Sequence, residues 1–150
     1  MNRADGFTLI EVVCVLAIAG LVAAIAMPSL SSGTTPARLS AYTLDIATIL
    51  KADRNAAMRQ QALVSTTLSA KGRWLRSGDG RRTVQLPEDV HLDALLAQHC
   101  VGREGTSSIE FLPTGMSCGG VIALTHEGFG YQIRVNWLTG GIDIVSLDDS

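Results

Sequence analysis

The stretch ADGFTLIEVVCVLAIAG, residues 4–20, decides how the fold begins, because it opens an apolar run that continues to Met27. Between Phe7 and Met27, only Thr8 and Glu11 are clearly polar. A helix over this run would be about 31 Å long, close to the thickness of a bilayer's hydrocarbon core. The run therefore predicts a membrane-compatible helix, and the carboxylate of Glu11 near its start requires an explanation.

Two simple interpretations leave Glu11 without a role. A cleaved secretory signal would end at small residues, which Ala24 and Ala26 supply, but it would also need a basic region before the apolar run. Only Arg3 and the starting amine precede the run, and Asp5 partly offsets them. A plain membrane anchor would bear a cost of about 2.5–3.5 kcal/mol for a carboxylate at the helix centre, and less near the interface.

The string GFTLIE, residues 6–11, resembles the processing site of type IV pilins and of type II secretion pseudopilins. In that family a prepilin peptidase cuts after the glycine and methylates the new N-terminal residue. The resemblance implies that cleavage falls between Gly6 and Phe7 and that Phe7 becomes N-methylated. Glu11 then occupies the position where the family keeps a glutamate, and Pro28 lies where members often carry a helix-kinking proline.

The resemblance implies that Glu11 acts in assembly. Cleavage creates a positive amine at Phe7 in apolar surroundings, and Glu11 of an adjacent subunit can pair with it. An unpaired charge in that setting is costly and a paired one is tolerated, so the pair can set the axial register of a filament. The alternative is that Glu11 only extends to the membrane interface.

A break is predicted after the apolar helix, because Pro28 and the breaker cluster at residues 31–36 favour a kink or an unwound turn. We predict a leader peptide at residues 1–6, a transmembrane and filament-core helix at 7–30, a linker and amphipathic helix at 31–62, and a β domain at 63–150. Helical spacing predicts a buried stripe on the amphipathic helix that comprises Leu39, Tyr42, Ile46, Ile49, Leu50, Asp53, Ala56, Ala57 and Gln60.

Short alternating runs replace the helical pattern from Leu63 onward and predict about eight strands, the last two joined as a hairpin. The predicted fold class is α+β and pilin-like: a long N-terminal hydrophobic helix, then a C-terminal antiparallel β domain of two small sheets, one packed on the amphipathic helix. The predicted strands are Val64–Leu68, Arg73–Leu75, Thr83–Leu86, Val90–Leu92, Ser108–Phe111, Val121–Thr125, Tyr131–Trp137 and Ile142–Val145.

The segment from Ser107 to Ile144 sharpens the resemblance. It contains a Phe-x-Pro-x-Gly motif at residues 111–115, a Gly-Gly pair at 119–120 and a Trp-Leu-Thr-Gly string at 137–140. Together they resemble the C-terminal signature of H-type minor pseudopilins. Minor pilins of type IV pili share this signature and are the alternative.

The resemblance implies a structural subunit near the tip of a type II secretion pseudopilus, without catalytic residues or a cofactor. The implied partners are other pseudopilins (the major subunit and the tip minor subunits), prepilin peptidase, the inner-membrane assembly platform and the inner membrane. The chain would cross that membrane once, with its N-terminus in the cytoplasm and its β domain in the periplasm, and would enter the pseudopilus on assembly. Arg3 ahead of the apolar run favours the same orientation.

Cysteines and histidines supply the remaining candidate chemistry. Cys14 lies within the apolar run and is interpreted as a small packing residue. Cys100 and Cys118 belong to the exported domain, where an oxidising compartment permits a disulfide between them; two separate free thiols are the alternative. We predict no metal site, because these residues lack the spacing of metal ligands. We also predict no Cys–His nucleophile, because no third residue is present to orient the pair. The residues considered are His91, His99, Cys100, Cys118 and His126.

One basic segment is a candidate for phosphate binding. The chain as a whole has a net charge of −2, however, and its tail at residues 146–150 is acidic. We therefore predict no nucleic-acid partner and a hairpin that is solvated or contacts another subunit. The segment comprises Lys71, Arg73, Trp74, Arg76, Arg81 and Arg82.

Overall fold

The computed structural model describes residues 8–26, 33–100, 103–104 and 107–148. The chain divides into two compact units, Met1–Ser32 and Gly33–Ser150. The described residues of the first unit form one helix, α1 (Leu9–Ala26). The second contains helix α2 (Pro36–Gln60) and ten strands among its described residues.

Apart from Glu11, helix α1 is apolar on every side. It begins after Thr8, whose carbonyl oxygen accepts hydrogen bonds from the N–H groups of Glu11 and Val12 at 3.1 and 3.3 Å. Large apolar side chains are exposed along its whole circumference: Leu9, Ile10, Val12, Val13, Val15, Leu16, Ile18, Leu21 and Val22. A helix with no polar face needs an apolar environment from elsewhere, such as lipid or other helices.

The predicted membrane span, 7–30, extends past both ends of α1, and its residues 7 and 27–30 lie outside the described part of the chain, as does the kink predicted at Pro28. Within the described residues, no helix is both long enough and apolar enough to cross a membrane. Gly33 to Thr35 are not helical, so helical structure is interrupted immediately before α2.

Helix α2 has defined signals at both ends. Thr35 is the N-cap, and its side-chain oxygen accepts a hydrogen bond from the N–H of Arg38 at 3.3 Å. Pro36 occupies the first turn, where its missing N–H costs nothing. Gln61 ends the helix in the left-handed conformation, with φ of 49°.

Most residues that were predicted to be buried on α2 are buried in the structure. Tyr42 and Ala56 are only partly buried, and Gln60 is exposed, so its predicted burial is wrong; Thr43 and Ala47 are buried instead. Gln60 is the last residue of α2 and lies beyond Ala57, the last buried residue of the helix. The buried residues are Leu39, Thr43, Ile46, Ala47, Ile49, Leu50, Asp53 and Ala57.

The strands form two four-stranded antiparallel sheets and one two-stranded hairpin. The first sheet has the order β3-β2-β1-β7, the second has the order β10-β9-β8-β4, and β5 pairs with β6. The strands are β1 Val64–Ser69, β2 Trp74–Arg76, β3 Thr83–Gln85, β4 His91–Leu96, β5 His99–Cys100, β6 Arg103–Glu104, β7 Ser108–Phe111, β8 Gly120–His126, β9 Phe129–Val135 and β10 Ile142–Asp148.

Three strand predictions need correction. The strand predicted at Val90–Leu92 begins at His91 and continues to Leu96. The short hairpin β5–β6 was not predicted, because two-residue strands are too short to show alternation. The strand predicted to end at Trp137 ends at Val135, and Trp137 lies in the turn with 62% of its surface exposed. The predicted hairpin of the last two strands is present, with Ile142 opposite Val135.

Helix α2 packs against strands of both sheets, including β1 of the first and β9 of the second, so the prediction that only one sheet packs on this helix is wrong. The helix therefore joins the two sheets through one continuous apolar core. Its buried members are Leu39, Ile46, Ile49, Leu50, Ala57, Leu68, Leu75, Leu86, Val90, Leu92, Ile109, Phe111, Ile122, Leu124, Ile133 and Val135.

A buried carboxylate, Asp53, lies within this packing and is only 3% exposed. It accepts hydrogen bonds from the hydroxyls of Thr66 and Ser77, both at 2.6 Å, and from the N–H of Gly78 at 2.8 Å. Asp53 thus ties α2 to strand β1 and to the turn between β2 and β3. The helical spacing predicted that Asp53 would be buried, but it did not predict its hydrogen-bond partners.

Candidate functional sites

Glu11 lies in the first turn of α1 and is exposed. The unpaired N–H groups at this end of a helix carry partial positive charge, which favours a carboxylate there. Leu9, Ile10 and Val12 around it in the sequence are exposed as well. This arrangement presents one negative charge on an otherwise apolar surface. Such a surface could pair with a positive charge carried by another apolar helix. Gly6 and Phe7 lie outside the described residues.

Of the cysteines and histidines singled out from the sequence, the structure brings Cys100 and Cys118 together. They are joined as a disulfide, with their Cα atoms 5.7 Å apart. Cys14 is a free cysteine and is exposed on α1. Glu110, which the sequence analysis did not single out, lies beside the disulfide. The sequence could not predict this proximity, because Glu110 and Cys100 belong to different strands.

The histidines lie apart from that pair. His126 is buried, and its Nδ1 atom lies 2.6 Å from the carbonyl oxygen of Asp89. His91 lines the same surface groove as His126, opposite Thr125 in the sheet register. His99 lies in strand β5. Among the described residues, none of the three belongs to a group of three or more possible metal ligands.

The C-terminal motifs that were separate in sequence converge on one residue, Arg54 of α2. Its Nε donates to the carbonyl oxygen of Gly115 and its Nη2 donates to that of Thr139, both at 2.9 Å. Gly140 has φ of +64°, and a Cβ atom there would collide with the Gly115 carbonyl oxygen. The Phe-x-Pro-x-Gly and Trp-Leu-Thr-Gly motifs therefore form one closely packed junction of loops, in which glycine is required.

This junction holds an exposed apolar tip. Trp137 and Leu138 are 62% and 56% exposed in the turn between β9 and β10. The Asn136 side chain stabilises the turn by accepting hydrogen bonds from the N–H groups of Leu138 and Thr139. Exposed aromatic and aliphatic groups on a stabilised turn are a feature of protein contact surfaces.

Two arginines of the basic segment contact nearby side chains. The Arg76 guanidinium lies 5.3 Å from the centre of the Trp74 ring, and Arg73 lies 3.8 Å from Glu88. Asp79 accepts a hydrogen bond from the N–H of Arg81, and this bond holds the pKa of the Asp79 carboxyl below its usual value. The contact with Glu88 therefore offsets one of the segment's five positive charges.

Asp89 binds Thr34, near the start of the second unit. Its carboxylate accepts hydrogen bonds from the N–H of Thr34 at 2.7 Å and from the Thr34 hydroxyl at 2.9 Å. Thr34 directly precedes the N-cap of α2, so this contact holds the segment through which the chain enters the domain. The Thr34 N–H is the main reason that the pKa of Asp89 lies below its usual value of 3.8, and a protonated His126 would lower it further.

We expect Asp89→Asn to lower the thermal stability of the protein at neutral pH by an amount that shrinks on acidification. A carboxyl with a lowered folded-state pKa stabilises the fold above its ordinary pKa, and this contribution is lost as the pH falls through the lowered value. The measurement compares unfolding temperatures of the wild type and Asp89→Asn between neutral pH and about pH 2. A difference that stays constant over this range would contradict a contribution from the Asp89 charge.

Comparisons with known proteins agree with this fold and these motifs. The prokaryotic N-terminal methylation motif matches residues 1–27. The type II secretion system protein H of Xanthomonas campestris pv. campestris is 27% identical over 141 residues, which cover 91% of this chain and 80% of that protein.

Two solved structures share the fold. The minor pseudopilin EpsH from the type 2 secretion system of Vibrio cholerae matches with a TM-score of 0.57 at 12% identity, over 72% of this chain and 96% of EpsH. The type IV minor pilin FimU of Pseudomonas aeruginosa matches with a TM-score of 0.53 at 15% identity, over 71% of this chain and 87% of FimU.

The two antiparallel sheets and helix α2 form a pilin-like fold, which is the predicted fold class, and the methylation motif precedes them at residues 1–27. The chain is similar to the Xanthomonas secretion system protein H over most of its length, and it shares its fold with EpsH.

Proposed function

We propose that this protein is a minor pseudopilin, a structural subunit near the tip of the periplasmic pseudopilus that drives export of folded exoproteins across the outer membrane. The observation that carries the proposal is the similarity to secretion system protein H, which covers 91% of the chain. That similarity includes both the apolar helix and the β domain. The protein would act as a structural component without catalytic residues.

The proposal includes a location and a set of partners. The apolar surface of α1 supports anchoring in the inner membrane before assembly, with the N-terminus in the cytoplasm and the domain at residues 33–150 in the periplasm. After assembly, α1 would pack against the corresponding helices of other pseudopilins. The exposed tip at Trp137 and Leu138 is a candidate surface for neighbouring tip subunits. The other proposed partners are prepilin peptidase and the inner-membrane assembly platform.

Deletion of the protein from its host tests the secretion role. We expect folded exoproteins to accumulate in the periplasm, while surface pili and DNA uptake remain as in the parent strain. The readout is the activity of a secreted enzyme in the medium and in the periplasmic fraction, with the wild-type copy restored as the control. Normal secretion together with a loss of pili would instead favour a type IV minor pilin, the alternative that the likeness to FimU keeps open.

Processing of the N-terminus provides a second test. Co-expression with a prepilin peptidase should remove residues 1–6 and leave N-methylated Phe7 as the first residue. Gly6→Leu should leave the chain uncut, because the peptidase is expected to require a small residue before the scissile bond. Intact-mass and N-terminal peptide spectrometry measure both outcomes. A mature chain that starts at Met27 would indicate an ordinary signal peptide and contradict the pilin assignment.

A further inference from the structure

A buried carboxylate without a full set of partners lies beside the disulfide. Glu110 of β7 is 7% exposed. Its Oε1 atom accepts a long hydrogen bond from the Ser65 hydroxyl at 3.4 Å. Its Oε2 atom is buried and has no hydrogen-bond partner in the described part of the chain. Burying a carboxylate oxygen in this way is costly unless a proton or a cation satisfies it.

The two sulfur atoms lie close to this carboxylate. The Sγ atoms of Cys100 and Cys118 and one carboxylate oxygen of Glu110 are all within 4.8 Å of one another. The N–H of Cys118 donates to the main-chain carbonyl oxygen of Glu110 at 3.0 Å, which fixes these two residues side by side. The three ligand atoms are thus held together by β5, β7 and the segment before β8.

We propose that the dithiol form of Cys100, Glu110 and Cys118 is a binding site for one zinc ion. Two thiolates and one carboxylate are ligands that Zn²⁺ prefers, with Zn–S distances of about 2.3 Å and Zn–O distances of about 2.0–2.2 Å. Two sulfurs on a tetrahedral zinc lie about 3.8 Å apart, so reduction followed by side-chain rotation suffices to open the site. A water molecule takes the fourth position.

Charge and proton balance fit this assignment. Binding displaces one proton from each thiol, and two thiolates plus one carboxylate then surround the divalent ion, giving a site with one net negative charge. The otherwise unsatisfied carboxylate of Glu110 gains a cation. Disulfide and zinc compete for the same two sulfurs, so the oxidised chain has no site, whereas a chain whose thiols have not yet been oxidised does.

The test uses the full chain in detergent. A phosphine reduces the disulfide: the disulfide gains two electrons and two protons, and the phosphine becomes the phosphine oxide with oxygen from water. After anaerobic removal of the phosphine, Zn²⁺ is titrated in competition with a chromophoric chelator. We expect one Zn²⁺ per reduced chain and none per oxidised chain. With Co²⁺ as the probe, thiolate-to-metal charge-transfer absorption should appear only in the reduced protein.

Variants identify the ligands. Cys118→Ser should abolish binding, and Glu110→Gln should weaken it at least tenfold. Glu88→Gln, which changes a fully exposed carboxylate, should bind as the wild type does. Circular dichroism monitors the fold throughout, and recovery of the fold on adding Zn²⁺ would also support the site. The proposal is overturned if the reduced wild type takes up no Zn²⁺, if Glu110→Gln binds as tightly as the wild type, or if reduction unfolds the chain and Zn²⁺ does not restore it.

Discussion

Glu11→Val is expected to abolish incorporation of the mature protein into the pseudopilus and, with it, secretion of a reporter exoprotein. Membrane insertion should be unharmed or improved, because the substitution removes a charge from an apolar helix. Cleavage should also proceed, since Gly6 and Phe7 are unchanged. The defect should therefore appear only at assembly, where we propose that Glu11 pairs with the amine of a neighbouring subunit.

The size of the effect follows from removing one partner of a buried ion pair. Such a loss costs about 3–5 kcal/mol, because the remaining charge stays in an apolar environment without a partner. A cost of that size lowers an association constant by about a hundredfold or more. Cross-linking of the mature protein to other pseudopilins should fall to background. Glu11→Gln keeps the shape and one acceptor, so its defect should be milder.

Cys14→Ala is the matched control, since it changes a small exposed side chain on the same helix. It should leave cross-linking and secretion at the wild-type level. Separate measurements of membrane content, processed mass and cross-linked product distinguish a failure of assembly from a failure of insertion or cleavage. Wild-type cross-linking and secretion in Glu11→Val would show that Glu11 only extends to the membrane interface.

Asp53→Ala should destabilise the domain at residues 33–150 by about 3–5 kcal/mol, because it leaves the Thr66 and Ser77 hydroxyls and the Gly78 N–H without their acceptor. A loss of this size is a large share of the stability of a small domain and should reduce the amount of folded protein. Asp53→Asn should lose about half as much, since its remaining oxygen can accept from Thr66 and Gly78 while the Ser77 hydroxyl rotates to accept from its amide.

Urea unfolding followed by tryptophan fluorescence measures these losses. Both tryptophans, Trp74 and Trp137, lie in the second unit, so the signal reports that unit even in the full chain. Asp45→Ala, at an exposed position of the same helix, is the control and should change stability by no more than about 0.5 kcal/mol. A loss below about 1 kcal/mol in Asp53→Ala would mean that other groups satisfy these donors.

Contiguous patterns in the sequence determined the class of protein and the outline of its fold. The apolar run and the string at residues 6–11 predicted a pilin-like fold, and the likeness to EpsH confirms that fold. The spacing that begins at Leu39 predicted α2, and alternation predicted most strands and the final hairpin. These features are readable because a helix and a tight hairpin depend on residues close together in the chain.

Tertiary structure alone decided which polar groups meet. Arg54 reaches carbonyl oxygens 61 and 85 residues away, and Asp53 binds groups 13 to 25 residues away. Glu110 lies beside Cys100 only because β7 and β5 converge there. Local periodicity indicates which face of a helix or strand is buried, but it does not indicate which strand packs against that face. The sequence therefore could not predict the hydrogen bonds of Asp53, the contacts of Arg54 or the cluster of two cysteines and Glu110.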